Sequence, residues 1–190
     1  MQNLFSYISP ALQISNARAK DALEELFVKK QFSRNDFLIE EGQICRHLYF
    51  IEKGSIRGFY NIDGKDVSQW FGFENDFVTS FRSFITRSAS QEYIQVTEDT
   101  IAWCISKEEL DKLLLLFPEL EKTVRLIYEQ YYIRLEERYS NAHFKTATER
   151  YEDLQKHYPH ILKRMPLGYI ASYLGISSET LSRIRKATAK

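Results

Sequence analysis

The sequence predicts an α+β fold: an antiparallel double-sheet, jelly-roll-like β-roll, then a long helix, then a small helical domain ending in a helix-turn-helix. Three observations carry that prediction. Five of the seven glycines, Gly42, Gly54, Gly58, Gly64 and Gly72, fall within a 31-residue span where apolar and polar residues roughly alternate, the pattern of short strands joined by tight turns. After Pro118 no glycine or proline intervenes as far as about Ala142, which one long helix explains best. Near the end of the chain Ala171 and Gly175 stand four apart, the spacing at which two helices cross closely around a sharp turn.

The roll is expected between about Phe32 and Ile105. Within "HLYFIEKGSIRGFYNIDGKDVSQWFGF", Leu48, Phe50, Ile56, Tyr60, Val67 and Phe71 are the candidate inward positions. "IDGK" reads as a hairpin with the Asp-Gly pair favoured in two-residue turns, and "EYIQVTEDTIAWCIS" adds two more strands. Phe73, Phe77, Phe81 and Phe84 recur at helical spacing; they read as core residues anchoring a helix against the roll, or as the lining of an apolar pocket.

Helices follow. Ser106 with Glu109 reads as a capping box opening "KEELDKLLLLF", and Pro118 suits the first turn of the next helix. Along that helix Val124, Tyr128, Tyr131 and Leu135 follow a four-three-four spacing, and Leu120, Ile127 and Tyr132 widen the apolar surface. Two buried faces are expected, one against the roll and one against a second copy in a parallel, coiled-coil-like homodimer; the alternative is that the whole stripe packs inside one subunit. "NAHFK" marks the expected boundary. Thr146 with Glu149 forms a second capping box ahead of "ATERYEDLQKHY", and Pro159 and Pro166 bracket a short connector. The expected domains are 1–117, the roll; 118–142, the dimerisation helix; and 143–190, the terminal helical domain.

In that last domain Ile170, Leu174, Ile176, Leu181 and Ile184 occupy the inward positions on both sides of the turn, and Ser177 is placed to cap the second helix. Ser178, Glu179, Ser182, Arg183, Arg185 and Lys186 are left on the outside. If the N-terminal end of this helix enters a major groove, Arg183 can donate two hydrogen bonds to a guanine edge and Glu179 can accept from a cytosine amine. Arg185, Lys186 and Lys190 suit phosphates. The charge distribution agrees: residues 1–142 hold 17 Lys and Arg against 22 Asp and Glu, whereas 143–190 hold 9 against 4, so the neutral total conceals a basic tail suited to a polyanion.

Several classes are not expected. At 190 residues and 44% hydrophobic, the chain can bury one good core and a small second one, which argues against disorder. Apolar stretches such as "LDKLLLLFPEL" are short and broken by charge, and Met1 to Leu12 lacks the features of a secretion signal, so no membrane association and a cytoplasmic location are expected. Cys45 and Cys104 read as buried, reduced strand residues. His47, His143, His157 and His160 are scattered without a metal-ligand set, and neither a nucleophile elbow nor a phosphate loop is present, so no metal, no cofactor and no enzymatic activity are expected.

The order of roll, long helix and terminal helix-turn-helix resembles the Crp-Fnr family of bacterial transcription regulators, whose amino-terminal half is a cyclic-nucleotide-binding-type domain. The resemblance runs from about Phe32 to Lys186. Its most specific pieces are "EEGQICRHLYFIEKGSIRG", with Gly42 and Gly54 at the turns, and "LGISSETLSRIRK"; short members are similar in carrying "DFVTSF" after the middle strands. It implies a homodimer that binds double-stranded DNA, with a small-molecule effector in the roll, or none, setting the spacing of the two copies, and with the base-contacting acid at Glu179 and the base-contacting arginine at Arg183. Ser178 replaces an arginine of the catabolite-activator branch, which implies a different operator. Leu167 and Gly168 replace the polar residues that often open the first helix, and the β-hairpin wing of many members is not expected after Lys186.

The ligand cassette departs further. Nucleotide-binding members hold the ribose with a Gly-Glu pair and the phosphate with an arginine followed by a small hydroxyl residue. Here the corresponding positions are Asn75 and Asp76, then, after an insertion, Ser90 and Gln91. Asp76 could still accept from a ribose hydroxyl, but a phosphate without a cation would be desolvated uncompensated, so cyclic AMP is not expected to bind. Arg82 and Arg87, inside the insertion, either meet some other anion or are solvated. A rival reading makes the chain a ligand-sensing or interaction module whose terminal helices dock on a protein, not on DNA.

Overall fold

The Asn16 side chain accepts hydrogen bonds from the backbone N–H groups of Arg18 (3.0 Å) and Ala19 (3.4 Å) and so opens helix α1, Ala17–Leu26. The computed structural model describes residues 16–188; the expectations for Met1 to Leu12 and for Lys190 lie outside them. Among the described residues there are eight strands: β1 Val28–Phe32, β2 Phe37–Ile39, β3 His47–Lys53, β4 Ile56–Ile62, β5 Lys65–Gly72, β6 Phe77–Val78, β7 Tyr93–Val96 and β8 Thr100–Ser106. They form two four-stranded antiparallel sheets, ordered β1-β8-β3-β6 and β2-β7-β4-β5. The α+β double-sheet architecture expected from the glycine clustering is therefore present. At the β4–β5 hairpin both Asp63 (φ 51°) and Gly64 (φ 78°) take the positive φ that a primed two-residue turn requires.

The roll begins earlier than expected, at Val28 and not near Phe32. Val28–Phe32 is an edge strand paired with β8 and exposed along most of its length, so "VKKQF" shows none of the inward-outward alternation that marks a half-buried strand. Of the expected inward positions, Leu48, Phe50 and Ile56 are buried, while Tyr60, Val67 and Phe71, on the outer hairpin, are half-buried. The helical reading of the four phenylalanines fails. Phe73 lies in a turn and Phe77 on β6, and only Phe81 and Phe84 share a helix, α2, Phe81–Thr86. Phe73, Phe81 and Phe84 are nevertheless buried, as core residues should be. Both cysteines are buried and free, but only Cys104 is on a strand; Cys45 lies in a loop where its N–H donates to the Ser83 hydroxyl (2.9 Å).

Helix α3, Lys107–Leu116, starts at the expected capping box: the Glu109 N–H donates to Ser106 Oγ (3.1 Å) and the Ser106 N–H donates back to the Glu109 carboxylate (3.0 Å). The Ser106 hydroxyl, which donates to the same carboxylate (2.6 Å), and the Ser106 N–H together hold the Glu109 carboxyl below its ordinary pKa. Helices α1 and α3 pack with Leu48, Phe50 and Ile105 into one cluster that also holds Phe84 and Leu120. Pro118–Leu120 forms a short 3-10 turn, and the long helix proper, α4, spans Glu121–Phe144, passing through the residues expected to mark a boundary. No residue of α4 is fully buried in the single chain, although Val124 packs against the core cluster.

The remaining helices are α5 Ala147–His157, α6 Pro159–Arg164, α7 Leu167–Tyr173 and α8 Ser178–Thr188. The segment expected as a connector is thus helical: Pro159 enters at the first helical position, where its missing N–H costs nothing, and Ile161 is buried. The chain divides into two compact units, one formed by residues up to Arg57 with Gly72–Glu129, the other by Gly58–Phe71 with Gln130 onward. No helix among the described residues is long and apolar enough to cross a membrane.

Candidate nucleic-acid interface

The terminal helices are built on a small core of their own. α5 begins at its capping box, with the Thr146 N–H donating to the Glu149 carboxylate (2.7 Å), which keeps that carboxyl below its ordinary pKa. Its apolar face contributes Tyr151 and Leu154, which are buried, as are Ile161, Met165, Ile170, Ala171 and Leu174 from α6, α7 and their connections. α8 adds Leu181 and Ile184, three apart on one face, and Ile176 is half-buried in the turn.

The turn between α7 and α8 has a defined hydrogen-bond pattern. Gly175 sits at φ 65°, its N–H donates to Ser172 O (3.0 Å), and the Ile176 N–H donates to Ala171 O (3.0 Å). This six-to-one and five-to-two pair is a Schellman C-cap, in which a residue at positive φ lets the chain leave the helix while the last carbonyls stay satisfied. Two residues on, the Ser177 hydroxyl accepts from the Thr180 N–H (3.2 Å) and opens α8.

Because Leu181 and Ile184 fix the inner face, the 3.6-residue period turns Ser178, Glu179, Ser182, Arg183, Arg185 and Lys186 outward, and all six are exposed. A hydrogen bond from the Ser177 hydroxyl holds the Glu179 carboxyl below its ordinary pKa, so an ionised acceptor stands in the first turn of α8 with the Arg183 guanidinium one turn further on.

The candidate ligand residues in the first unit are engaged within the protein, and only Arg82 and Gln91 with each other. The Asp76 carboxylate accepts from the Phe73 N–H within its own turn (3.0 Å). Buried Ser90 pairs with the Ser80 hydroxyl (3.0 Å) and donates to Glu92 O (2.8 Å). Arg82 donates to Gln91 Oε1 (2.5 Å), and Arg87 forms an ion pair with Glu108 (2.6 Å). Along α4, Val124 packs against the core cluster and Tyr128 lies edge-on to Phe81 with ring centroids 5.8 Å apart, whereas Tyr131 and Leu135 are exposed together with Tyr132, Ile133 and Tyr139.

Residues 29–115 match the family model of the cyclic nucleotide-binding domain. FixK2 from Bradyrhizobium japonicum is similar in structure over 85% of this chain and 83% of its own, at 16% identity and a TM-score of 0.72. The global regulator CLP of Xanthomonas campestris, described as responsive to c-di-GMP, aligns over 92% of both chains at 18% identity and a TM-score of 0.70. A transcriptional regulator of the crp/fnr family from Eubacterium rectale aligns over 96% of this chain and 87% of its own, at 16% identity and a TM-score of 0.73. The chain has the Crp-Fnr regulator fold. No curated protein matches it by sequence.

Within this Crp-Fnr fold, three residues of the second unit hold the helix pair in ways that sequence reasoning missed. Ser172 on α7 accepts from the Ser68 N–H (2.9 Å) and donates to Asp66 O (2.8 Å), so its hydroxyl satisfies two open backbone groups of the edge strand β5. Arg138 on α4 donates to Gln69 O of the same strand. Arg150 on α5 donates to Leu174 O (2.9 Å), bracing the turn from behind. A mid-helix serine and two basic helix residues carry no spacing signal; their partners lie 24 to 106 positions away in sequence.

Proposed function

We propose that the protein is a homodimeric, sequence-specific DNA-binding transcription regulator of Crp-Fnr type, acting in the cytoplasm, catalysing no reaction and not using cyclic AMP as its signal. The observation that carries this reading is the outer face of α8, where Glu179 and Arg183 project together from a helix whose large apolar residues, Leu181 and Ile184, are turned inward. Arg183 donates bidentately to a guanine edge and Glu179 accepts from a cytosine amine, while Ser178 and Ser182 contact neighbouring edges or backbone; Arg185 and Lys186 pair with phosphates and add affinity without sequence preference. Residues 143–190 are thus the DNA-binding domain and 1–117 the sensor.

The dimer forms along α4 through Val124, Tyr128, Tyr131 and Leu135. The exposed aromatic and aliphatic surface of its second half supports this, since an apolar stripe of that extent gains most from a second copy. A two-fold dimer presents its two copies of α8 about 34 Å apart, one DNA turn, to a roughly palindromic site. Arg82 is held by Gln91 and Arg87 by Glu108, while Asp76 and Ser90 bond to groups of their own turns, and this supports a signal other than cyclic AMP, because a nucleotide phosphate would find no uncommitted cation among them.

Selection of bound duplexes from a random pool, with purified protein and no effector, tests the reading. An enriched palindrome with half-sites one turn apart is expected. Recovery of no sequence, with no salt-sensitive binding to random duplex, would favour docking on a protein partner, a role to which the exposed Leu167 at the start of α7 is suited.

A further inference from the structure

Strand β5 is the last in its sheet, so one of its edges has no strand beside it among the described residues. Within the second unit, two helices use its backbone instead. The Ser172 hydroxyl of α7 accepts from the Ser68 N–H (2.9 Å) and donates to Asp66 O (2.8 Å), and the Arg138 guanidinium of α4 donates to Gln69 O. The short run from Asp66 to Gln69 is thus shared between the second half of the long helix and the helix that precedes α8.

The two grips differ in kind. A serine hydroxyl stands one rotatable side-chain bond from its helix and here holds a donor and an acceptor at once, so it fixes both the distance and the direction between α7 and the strand. Arg138 reaches the strand on a long side chain and holds α4 to it more loosely. Beside Ser172, the rings of Phe71 on β5 and Tyr173 on α7 lie with centroids 5.3 Å apart, which resists sliding of the helix along the strand. Ser172 is also tied to the turn: its own carbonyl accepts from the Gly175 N–H (3.0 Å), so the residue seated on the strand begins the cap from which α8 departs. Arg138 stands one turn beyond Leu135, in the half of α4 where Tyr131, Tyr132, Ile133 and Tyr139 are exposed.

We propose that β5 is a strut that sets the angle between the second half of α4 and the recognition helix, with Ser172 as its positioning residue, and that it thereby decides which half-site separation the dimer accepts. Ser172 acts through the Gly175 turn and needs no contact with DNA. Adding one base pair between half-sites moves the second site by about 3.4 Å and rotates it by about a tenth of a turn. A dimer whose recognition helices are held at a fixed angle rejects that change, and one whose helices are released follows it. This role rests on α8 reading DNA and on two copies pairing along α4.

The experiment compares wild type, Ser172→Ala and Ser172→Thr on the duplex enriched from the random pool and on versions with one base pair added or removed between the half-sites, alongside amide hydrogen exchange of the three proteins without DNA. Wild type should prefer the enriched separation at least about tenfold and Ser172→Ala less than about threefold, with base preferences inside each half-site unchanged. Ser172→Thr, which keeps the hydroxyl, should restore the preference. The Ser68 amide should exchange faster in the alanine variant and not in the threonine variant. Loss of affinity by the same factor at every separation, or unchanged exchange at Ser68, would overturn the proposal. If Ser172→Ala does not fold, Arg138→Gln takes its place: releasing the strand from α4 should broaden the separation preference in the same way, and a preference as sharp as that of wild type would overturn the strut. Wild type that binds no duplex at any separation would defeat the gene-control reading and this role together, whereas a sharp preference kept by Ser172→Ala would defeat the role alone.

Discussion

A Cβ at Gly54 would stand 2.3 Å from Thr100 Oγ1, 2.8 Å from Thr100 Cα and 2.9 Å from Asp99 O, and the residue already sits at φ 106°. Two of those three neighbours are backbone and cannot rotate away, so steric overlap adds to the cost of the dihedral. Gly54→Ala is therefore expected to destabilise the protein by more than about 2 kcal/mol, seen as a lowered denaturant midpoint in urea unfolding; a change within about 0.5 kcal/mol would mean that the β3–β4 turn relaxes freely. The turn role of Gly54 was legible in the sequence because a glycine between two apolar runs has few other uses. Glu179 and Arg183 were legible for a related reason: once Leu181 and Ile184 are assigned inward, helical geometry leaves their neighbours no choice of face. Ser172 was not, because its function is defined by a strand edge more than a hundred residues away.

At the scale of elements, local chemistry succeeded where one short signal fixes one geometry. Both capping boxes, the Asp-Gly hairpin and the Schellman turn at Gly175 each depend on a few neighbouring residues, and each is present. Spacing alone was less dependable. The phenylalanines from Phe73 to Phe84 match a helical period, yet they are distributed over a turn, a strand and a helix, because three intervals of four or three residues also arise where a strand ends and a helix begins. β1 was invisible as an exposed edge strand, and the proline-bracketed connector hid a six-residue helix. The Gly175 turn permits a graded test. No atom lies within 4 Å of a Cβ built there, so Gly175→Ala should cost only the left-handed backbone penalty, about 1–2 kcal/mol. Thermal unfolding should show that modest loss, and a cost near zero would indicate that the turn does not depend on positive φ.

At the scale of the molecule, the roll and the terminal helices follow from patterns repeated many times along the chain, which is why their order could be read from sequence. The surface of α4 could not be apportioned that way, since periodicity reports that a face is apolar and not which molecule covers it. Val124 and Tyr128 find partners within the first unit, while Tyr131 and Leu135 remain exposed. In the proposed homodimer Tyr131 is desolvated, so Tyr131→Asp should weaken self-association at least about tenfold in sedimentation equilibrium, because an interface carboxylate without a partner is strongly disfavoured. An unchanged association constant would move the interface elsewhere. The proposed DNA contact falls in the basic tail, residues 143–190, opposite in charge to the acidic remainder.

The most direct measurement is the affinity of wild type and Arg183→Ala for the selected duplex and for a set of duplexes changed one base pair at a time. Removing one bidentate donor should cost about 1–3 kcal/mol on the selected duplex and abolish preference at a single base pair in each half-site, leaving other positions as selective as before. An equal loss on every duplex, or none on any, would contradict the assignment of α8 as the helix that reads sequence.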